Sequence, residues 1–298
     1  MNPVASPNAV AAKPAPVQVP VGRVFYWSLR REIWENRSIY LVPLGVGVLI
    51  VLATAINVMH MAPQLHTGPL DPLQQHQSVE SPFIFASLLL MFSTMVVSVF
   101  YSVDALYGER RDRSVLFWKS MPVSDTVTVL SKLMIPLIVL PLVTFAVTLA
   151  TQLIMLLLGV MRAGPGLWSH LGVMQMWWGE LFHLVAFHGI WWAPFWGWLL
   201  LCSAWARRAP LLWAALPPLV IGFGEAIAFG TSHFAQWLMF RFVGGMSGPP
   251  QAAPMSTGML MPEGVWSYLS NIHLWTGFAI CAVCLALAVR LRRSRGPA

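Results

Sequence analysis

The 298-residue chain is 57% hydrophobic and only 10% charged, with a mean hydropathy of +0.67, whereas soluble domains carry roughly 25% charged residues. Its 18 basic and 11 acidic side chains are too few to cover a water-facing surface of this size. A soluble enzyme and a nucleic-acid-binding module are therefore excluded, and the net charge of +7 has to be interpreted by its position along a membrane protein. Cys202, Cys281 and Cys284 all fall in apolar runs, which does not suit a disulfide framework.

Residues 1–22 begin with a Pro-rich, nearly uncharged stretch that has neither the basic start nor the apolar core of a signal peptide. They are expected to form a disordered tail. Residues 23–36 follow as a helix lying in the membrane surface or, alternatively, as a juxtamembrane extension of the first span. Phe25, Tyr26, Leu29 and Ile33 share one face, Arg30, Arg31 and Glu35 lie elsewhere, and Trp27 and Trp34 are interface-seeking aromatics. Glu32 is a blemish near the apolar stripe.

The rest of the chain, residues 23–298, is expected to be one all-α, polytopic domain. A hydrocarbon core of about 30 Å needs about 20 apolar residues at 1.5 Å each. Six runs qualify, near 38–59, 83–103, 133–158, 181–206, 211–230 and 272–289. The fourth and fifth are separated by a turn at 207–210, which implies antiparallel neighbours. Sixteen of the 18 Lys and Arg residues lie before the first run, between the second and third, between the fourth and fifth, or after the sixth. Positive charge accumulates on the cytoplasmic side, so both termini are expected there and the number of spans should be even.

Between the second and third runs, Glu109, Arg110, Arg111, Asp112 and Arg113 precede the apolar Val115, Leu116, Phe117 and Trp118, and Ser124-Asp125 then starts a helix. Aromatics following a charge cluster on the wet side either dip into the headgroups or fill a groove on a soluble partner.

Within the apolar runs, Glu225 lies roughly 8 Å and His188 roughly 11 Å below the outer ends of their helices. Ionisable groups at such depth are functional candidates, and these two could pair across adjacent spans. His183 and His188 project about 140° apart, so no metal set is expected. His188 with His273 would suit haem only if the two spans brought them together. The aromatic run at 191–198 could cage a flat or cationic substrate or simply pack around Pro194, and Cys281 and Cys284 read as apolar filler. Asp104 is expected to lie at the interface near Arg110, and residues 233–246 of the long outer loop 231–271 could form an interfacial or a re-entrant helix.

An amphipathic elbow, six spans and an E-R-x-x-x-S loop ending in Pro-Val-Ser, carried here by Glu109, Arg110, Ser114, Leu116, Pro122, Val123 and Ser124, resemble the permease subunit of ATP-binding-cassette transporters of the type 2 exporter class. Arg113-Ser114 stands where that family has a small Gly-Thr step. The resemblance implies a location in a bacterial-type inner membrane and a coupling helix in this loop. It further implies a cytosolic ATPase docking on Glu109, Arg110, Arg113, Phe117, Trp118 and Lys119, a second permease copy, and a connecting helix at 23–36. The sequence contains no Gly-Lys pair and hence no phosphate-cradling loop of the usual form. ATP and magnesium are accordingly expected on the partner, no cofactor or catalytic residue is expected in this chain, and lipid rather than nucleic acid is its surroundings. Two other readings are a proton-driven secondary transporter working through Glu225 and a membrane haem or redox protein using His188, His273 and Glu225.

Overall fold

The computed structural model describes residues 20–60, 72–114, 123–163, 172–243 and 268–294, and within these ordered structure is helical. α1 (Val21–Glu35) leads through a tight turn into α2 (Ser38–His60), followed by α3 (Pro72–Asp104) and the single turn α4 (Tyr107–Arg111). α5 (Asp125–Met134) passes through a π-helical turn, Ile135–Val139, into α6 (Leu140–Ala163). α7 (Val173–Phe182) passes through a second π segment, His183–Trp191, and α8 (Ala193–Trp205) follows it. The last described helices are α9 (Pro210–Phe229), α10 (His233–Val243) and α11 (Ile272–Ser294).

Among the described residues, five stretches are long and apolar enough to cross a membrane: Ser38–Val58, Glu80–Arg111, Asp125–Met161, Pro210–Phe229 and Ile272–Ser294. A sixth is formed if Val173–Trp191 and Ala193–Trp205, bent by 48° at their junction, act as one span. Six runs were anticipated at these places. The anticipated span at 133–158 is instead the middle of a longer rod, because Ser124 caps α5 by accepting from the Val127 N–H at 3.2 Å, starting the helix well before the apolar core.

Two backbone defects shape the bundle. Pro136 cannot donate its helical hydrogen bond, and the wider π turn accommodates it. In the second π segment a Cβ on Gly189 would collide with the Leu137 carbonyl. Only a glycine lets the two π segments meet there. Trp192 then leaves helical geometry and Pro194 restarts the chain as α8, so the bend has a covalent cause.

α8 lies along α11, with Gly197 against Cys281, while α2 lies along α6 and α3 packs against α2, α6 and α8. The main core gathers Val103, Leu106, Val129, Leu133, Trp196, Leu199, Leu200 and Ala288. Outward-facing apolar side chains such as Leu49, Phe85, Phe92 and Ile227 remain exposed on the helix exteriors, which suits a hydrocarbon surround. In α9 only Ala214 is buried.

Candidate functional site

At the end of the bundle where α1, α4, α5 and α11 converge, three carboxylates and three cations form one buried network. Glu32 is 1% exposed and Lys132 3%. Lys132 Nζ donates to Glu32 Oε1 at 2.8 Å and reaches Glu109 Oε1 at 3.1 Å. Arg31 Nη2 lies 2.8 Å from Glu32 and 3.4 Å from Glu109. Arg292 pairs with Glu109 Oε2 and donates through Nε to Asp125 Oδ1 at 2.9 Å. Tyr101 Oη donates to Glu32 Oε2 at 2.9 Å. Burial raises the Glu32 carboxyl, but the adjacent Lys132 ammonium and Arg31 guanidinium outweigh it and hold the group below its ordinary value. The site joins five elements, α1, α3, α4, α5 and α11, through charge-assisted bonds.

Arg110 works beside it. Its Nη2 donates to the carbonyls of Ser203 and Ala206 at 2.6 and 2.7 Å, capping the C-terminus of α8 with a cation. Ser203 Oγ in turn accepts from the Leu106 and Tyr107 N–H groups at 3.0 and 2.9 Å. α4 and α8 are thereby fastened end to end.

The residues assigned to docking thus fall into groups. Glu109 and Arg110 point into the bundle and hold helices together, so their side chains do not offer a contact surface. Arg113 is exposed and takes φ 57°, the left-handed region in which a glycine would be at ease. Phe117, Trp118 and Lys119 lie outside the described residues. Asp104 pairs with Arg111 at 3.9 Å instead of Arg110, because Arg110 is turned toward α8.

Leu29 and Ile33 of α1 pack beside Ile39, Val97, Tyr101, Ile135 and Leu140, and Phe25 is half-buried. Glu32 is therefore the anchor of the docked face, not a flaw in it. Tyr26, expected on that same face, is 57% exposed. Arg30 lies over the exposed rings of Trp27 and Trp34 at 5.1 and 4.5 Å.

The expected pairing of Glu225 with His188 is not formed. Glu225 accepts from Thr231 Oγ1 and from the His233 and Phe234 N–H groups, each at 2.8 Å, because the first amides of α10 are the nearest unpaired donors. His188, 4% exposed, meets Ser98 Oγ at 3.2 Å and lies between the rings of Trp192 and Trp196. His273 sits against Phe240, so His188 and His273 occupy separate surroundings. The 191–198 aromatics are largely core: Trp196 donates to the His188 carbonyl at 2.9 Å and Trp191 to the Arg241 carbonyl at 2.8 Å. Arg241 Nη1 donates to the His273 carbonyl at 2.7 Å, fixing α10 on α11. Burial pushes the Arg241 guanidinium down from its ordinary value.

The sequence reading passed over Glu180, which is 6% exposed in the half of the bundle opposite the ionic network. Ser87 Oγ stands 2.7 Å from Glu180 Oε2, Gln152 Nε2 donates to Ser87 Oγ at 2.8 Å, and Trp177 Nε1 donates to Gln152 Oε1 at 2.8 Å. Buried Thr94 meets Thr144, and Ser98 meets His188, farther along the same seam between α3 and its neighbours. Small polar residues recurring at helical spacing, Ser87, Thr94 and Ser98 against Thr144, Thr148 and Gln152, were the available signal.

Comparison with protein-family models, with curated proteins and with solved structures finds no match.

Proposed function

We propose that this chain is the membrane-spanning permease subunit of an ATP-driven exporter of the ATP-binding-cassette class, in a bacterial-type inner membrane with six spans and both termini in the cytoplasm. It works as one half of a permease dimer energised by a separate ATPase docking on residues 107–125. The observation that carries this reading is the buried network at the root of that loop. Glu109 is tied to α1 through Arg31, to α5 through Lys132 and to α11 through Arg292, while Arg110 ties the loop to α8. A force applied to the loop by a closing ATPase would displace these helices together, since each connection is charge-assisted and Lys132, Arg110 and Arg292 are buried. Nucleotide binding then favours one arrangement of the spans by its differential contacts with the loop, and hydrolysis releases it.

Phe117 and Trp118 are the proposed anchors in the ATPase groove, with Arg113 and Lys119 at its rim. The test is purification of the tagged full-length chain from its own membrane in mild detergent, followed by mass spectrometry. A stoichiometric soluble ATPase that is lost from the Phe117→Ala/Trp118→Ala double variant, with membrane insertion intact, is the expected result. A chain that purifies alone, or a partner retained by the double variant, overturns the docking assignment.

A further inference from the structure

Glu180 is the one buried acidic side chain, among the described residues of the spans, whose hydrogen-bonding partners are all neutral. From α3 it is faced by Ser87, and from α6 by Gln152 and Thr148. On its own span the nearest titratable group is His183, whose ring is stacked on Phe187. No Lys or Arg among the described residues pairs with it. Phe83, Ala86, Met155 and Leu156 form an apolar patch alongside, shared by α3 and α6. An ionised carboxylate in such a place is expensive unless a cation accompanies it.

The hydrogen bonds can be assigned by counting protons. Ser87 Oγ lies 3.2 Å from the Phe83 carbonyl, which can only accept. The single hydroxyl proton of Ser87 can serve either that carbonyl, which also accepts a helical N–H, or Glu180, but not both. Gln152 also donates to Ser87 Oγ, its amide orientation being fixed because Trp177 Nε1, a donor only, contacts Gln152 Oε1. With that proton on Phe83, the 2.7 Å contact between Ser87 Oγ and Glu180 Oε2 is filled by a carboxyl proton; a carboxylate would instead have to take the Ser87 proton. With Glu180 protonated, Ser87 accepts twice and donates once. With Glu180 ionised, Ser87 must turn its proton to the carboxylate and abandon Phe83. Among the described residues Glu180 Oε1 has no hydrogen-bond partner, which a neutral carbonyl oxygen tolerates better than half of a buried negative charge.

We propose that Glu180 is a proton-binding site: its carboxyl carries a proton on Oε2, donated to Ser87, while α7 is packed against α3 and α6. The protonated carboxyl closes the seam between these three helices. Separation of α7 would admit water, let the proton leave as hydronium and produce a carboxylate that resists re-entry. The packed arrangement and the bound proton therefore stabilise each other. This assignment stands on the local geometry alone and is independent of the exporter reading.

Infrared difference spectroscopy on the full-length chain in lipid nanodiscs at about pH 8, where water-facing carboxyls near their usual values are ionised, tests the proposal directly. The expected spectrum contains the carbonyl stretch of a protonated carboxylic acid, shifted in D2O, which disappears in Glu180→Gln. In Ser87→Ala the band persists but moves to higher frequency, because its hydrogen bond is lost. The second variant keeps the proposal decidable should Glu180→Gln fold poorly. A difference between wild type and Glu180→Gln confined to the symmetric and antisymmetric carboxylate stretches, or an acid band unmoved by Ser87→Ala, overturns it.

Discussion

The two ends of the α3 seam solve the problem of a buried carboxyl in different ways. At the α1 end, Glu32 and Glu109 are surrounded by Arg31, Lys132 and Arg292, and the charge is balanced within one cluster that also takes in Asp125. At the other, Glu180 meets only hydroxyl and amide groups. Fixed counter-ions make the first site a clamp, because separating its helices strips partners from the buried charges of Glu32, Lys132 and Arg292. The second site has only a proton to neutralise it, and a proton can leave.

Removing a cation from the clamp is the strongest way to break this contrast. Lys132→Met leaves Glu32 and Glu109 buried beside each other with less positive charge, and a loss of about 3–5 kcal/mol is expected, read as a drop in thermal unfolding temperature in detergent. Adding Glu32→Gln to that variant should restore part of the loss, since the like-charge pair is then relieved. Unchanged stability in Lys132→Met would mean that the cluster is wet and the clamp is not formed. Gly189 tests the connection between the two regions. Gly189→Ala places a methyl group against the Leu137 carbonyl and should cost about 1–3 kcal/mol by overpacking. The same change at Gly222, where an added Cβ finds only the Phe234 ring at 3.8 Å, should cost less.

The pH dependence of stability should have opposite signs at the two sites. The Glu32 carboxyl is lowered in the folded chain, so its contribution is complete above the ordinary glutamate value of about 4.3 and is lost as pH falls through the depressed folded value. Glu32→Gln should flatten the acid limb of a melting-temperature profile. Glu180 is proposed to bind a proton in the packed state, so raising the pH should lower the melting temperature of wild type relative to Glu180→Gln. Parallel profiles on the alkaline side would remove the distinction between the regions.

The membrane character and the approximate places of the spans were legible because apolar length is a one-dimensional property that survives folding. The bend at Trp192 and the π turn at Pro136 were not, since each depends on how the backbone meets its neighbours. Glu109 and Arg110 were picked out by the density of charge around them, but density does not say which charges face inward. Glu32 was misjudged for the same reason: on a helical wheel it spoils an apolar stripe, whereas Lys132, a hundred residues away, makes it the centre of that face. Glu180 was missed because it stands at the margin of the fourth apolar run, where a single acid resembles a span boundary. The Ser, Thr and Gln that surround it share only a helical spacing, a weaker signal than a run of charge.

The smallest expected effect concerns the other carboxylate in an apolar run, and it sharpens what is special about Glu180. Glu225 has its oxygens met by two backbone N–H groups and a threonine hydroxyl, the donor set of a helix cap, which suits a carboxylate without a counter-ion. Glu225→Gln keeps one acceptor oxygen and loses the charge that favours the start of α10. Faster hydrogen exchange at the His233 and Phe234 amides is expected, with the remainder of the bundle and any transport preserved. Loss of transport in this variant with α10 still ordered would instead give Glu225 the proton-handling role and favour the secondary-transporter reading. If only the first turn of α10 loosens, two intramembrane glutamates of the same chain are separated by their partners alone: one is held charged by backbone dipoles, and the other is left to hydroxyls and a proton.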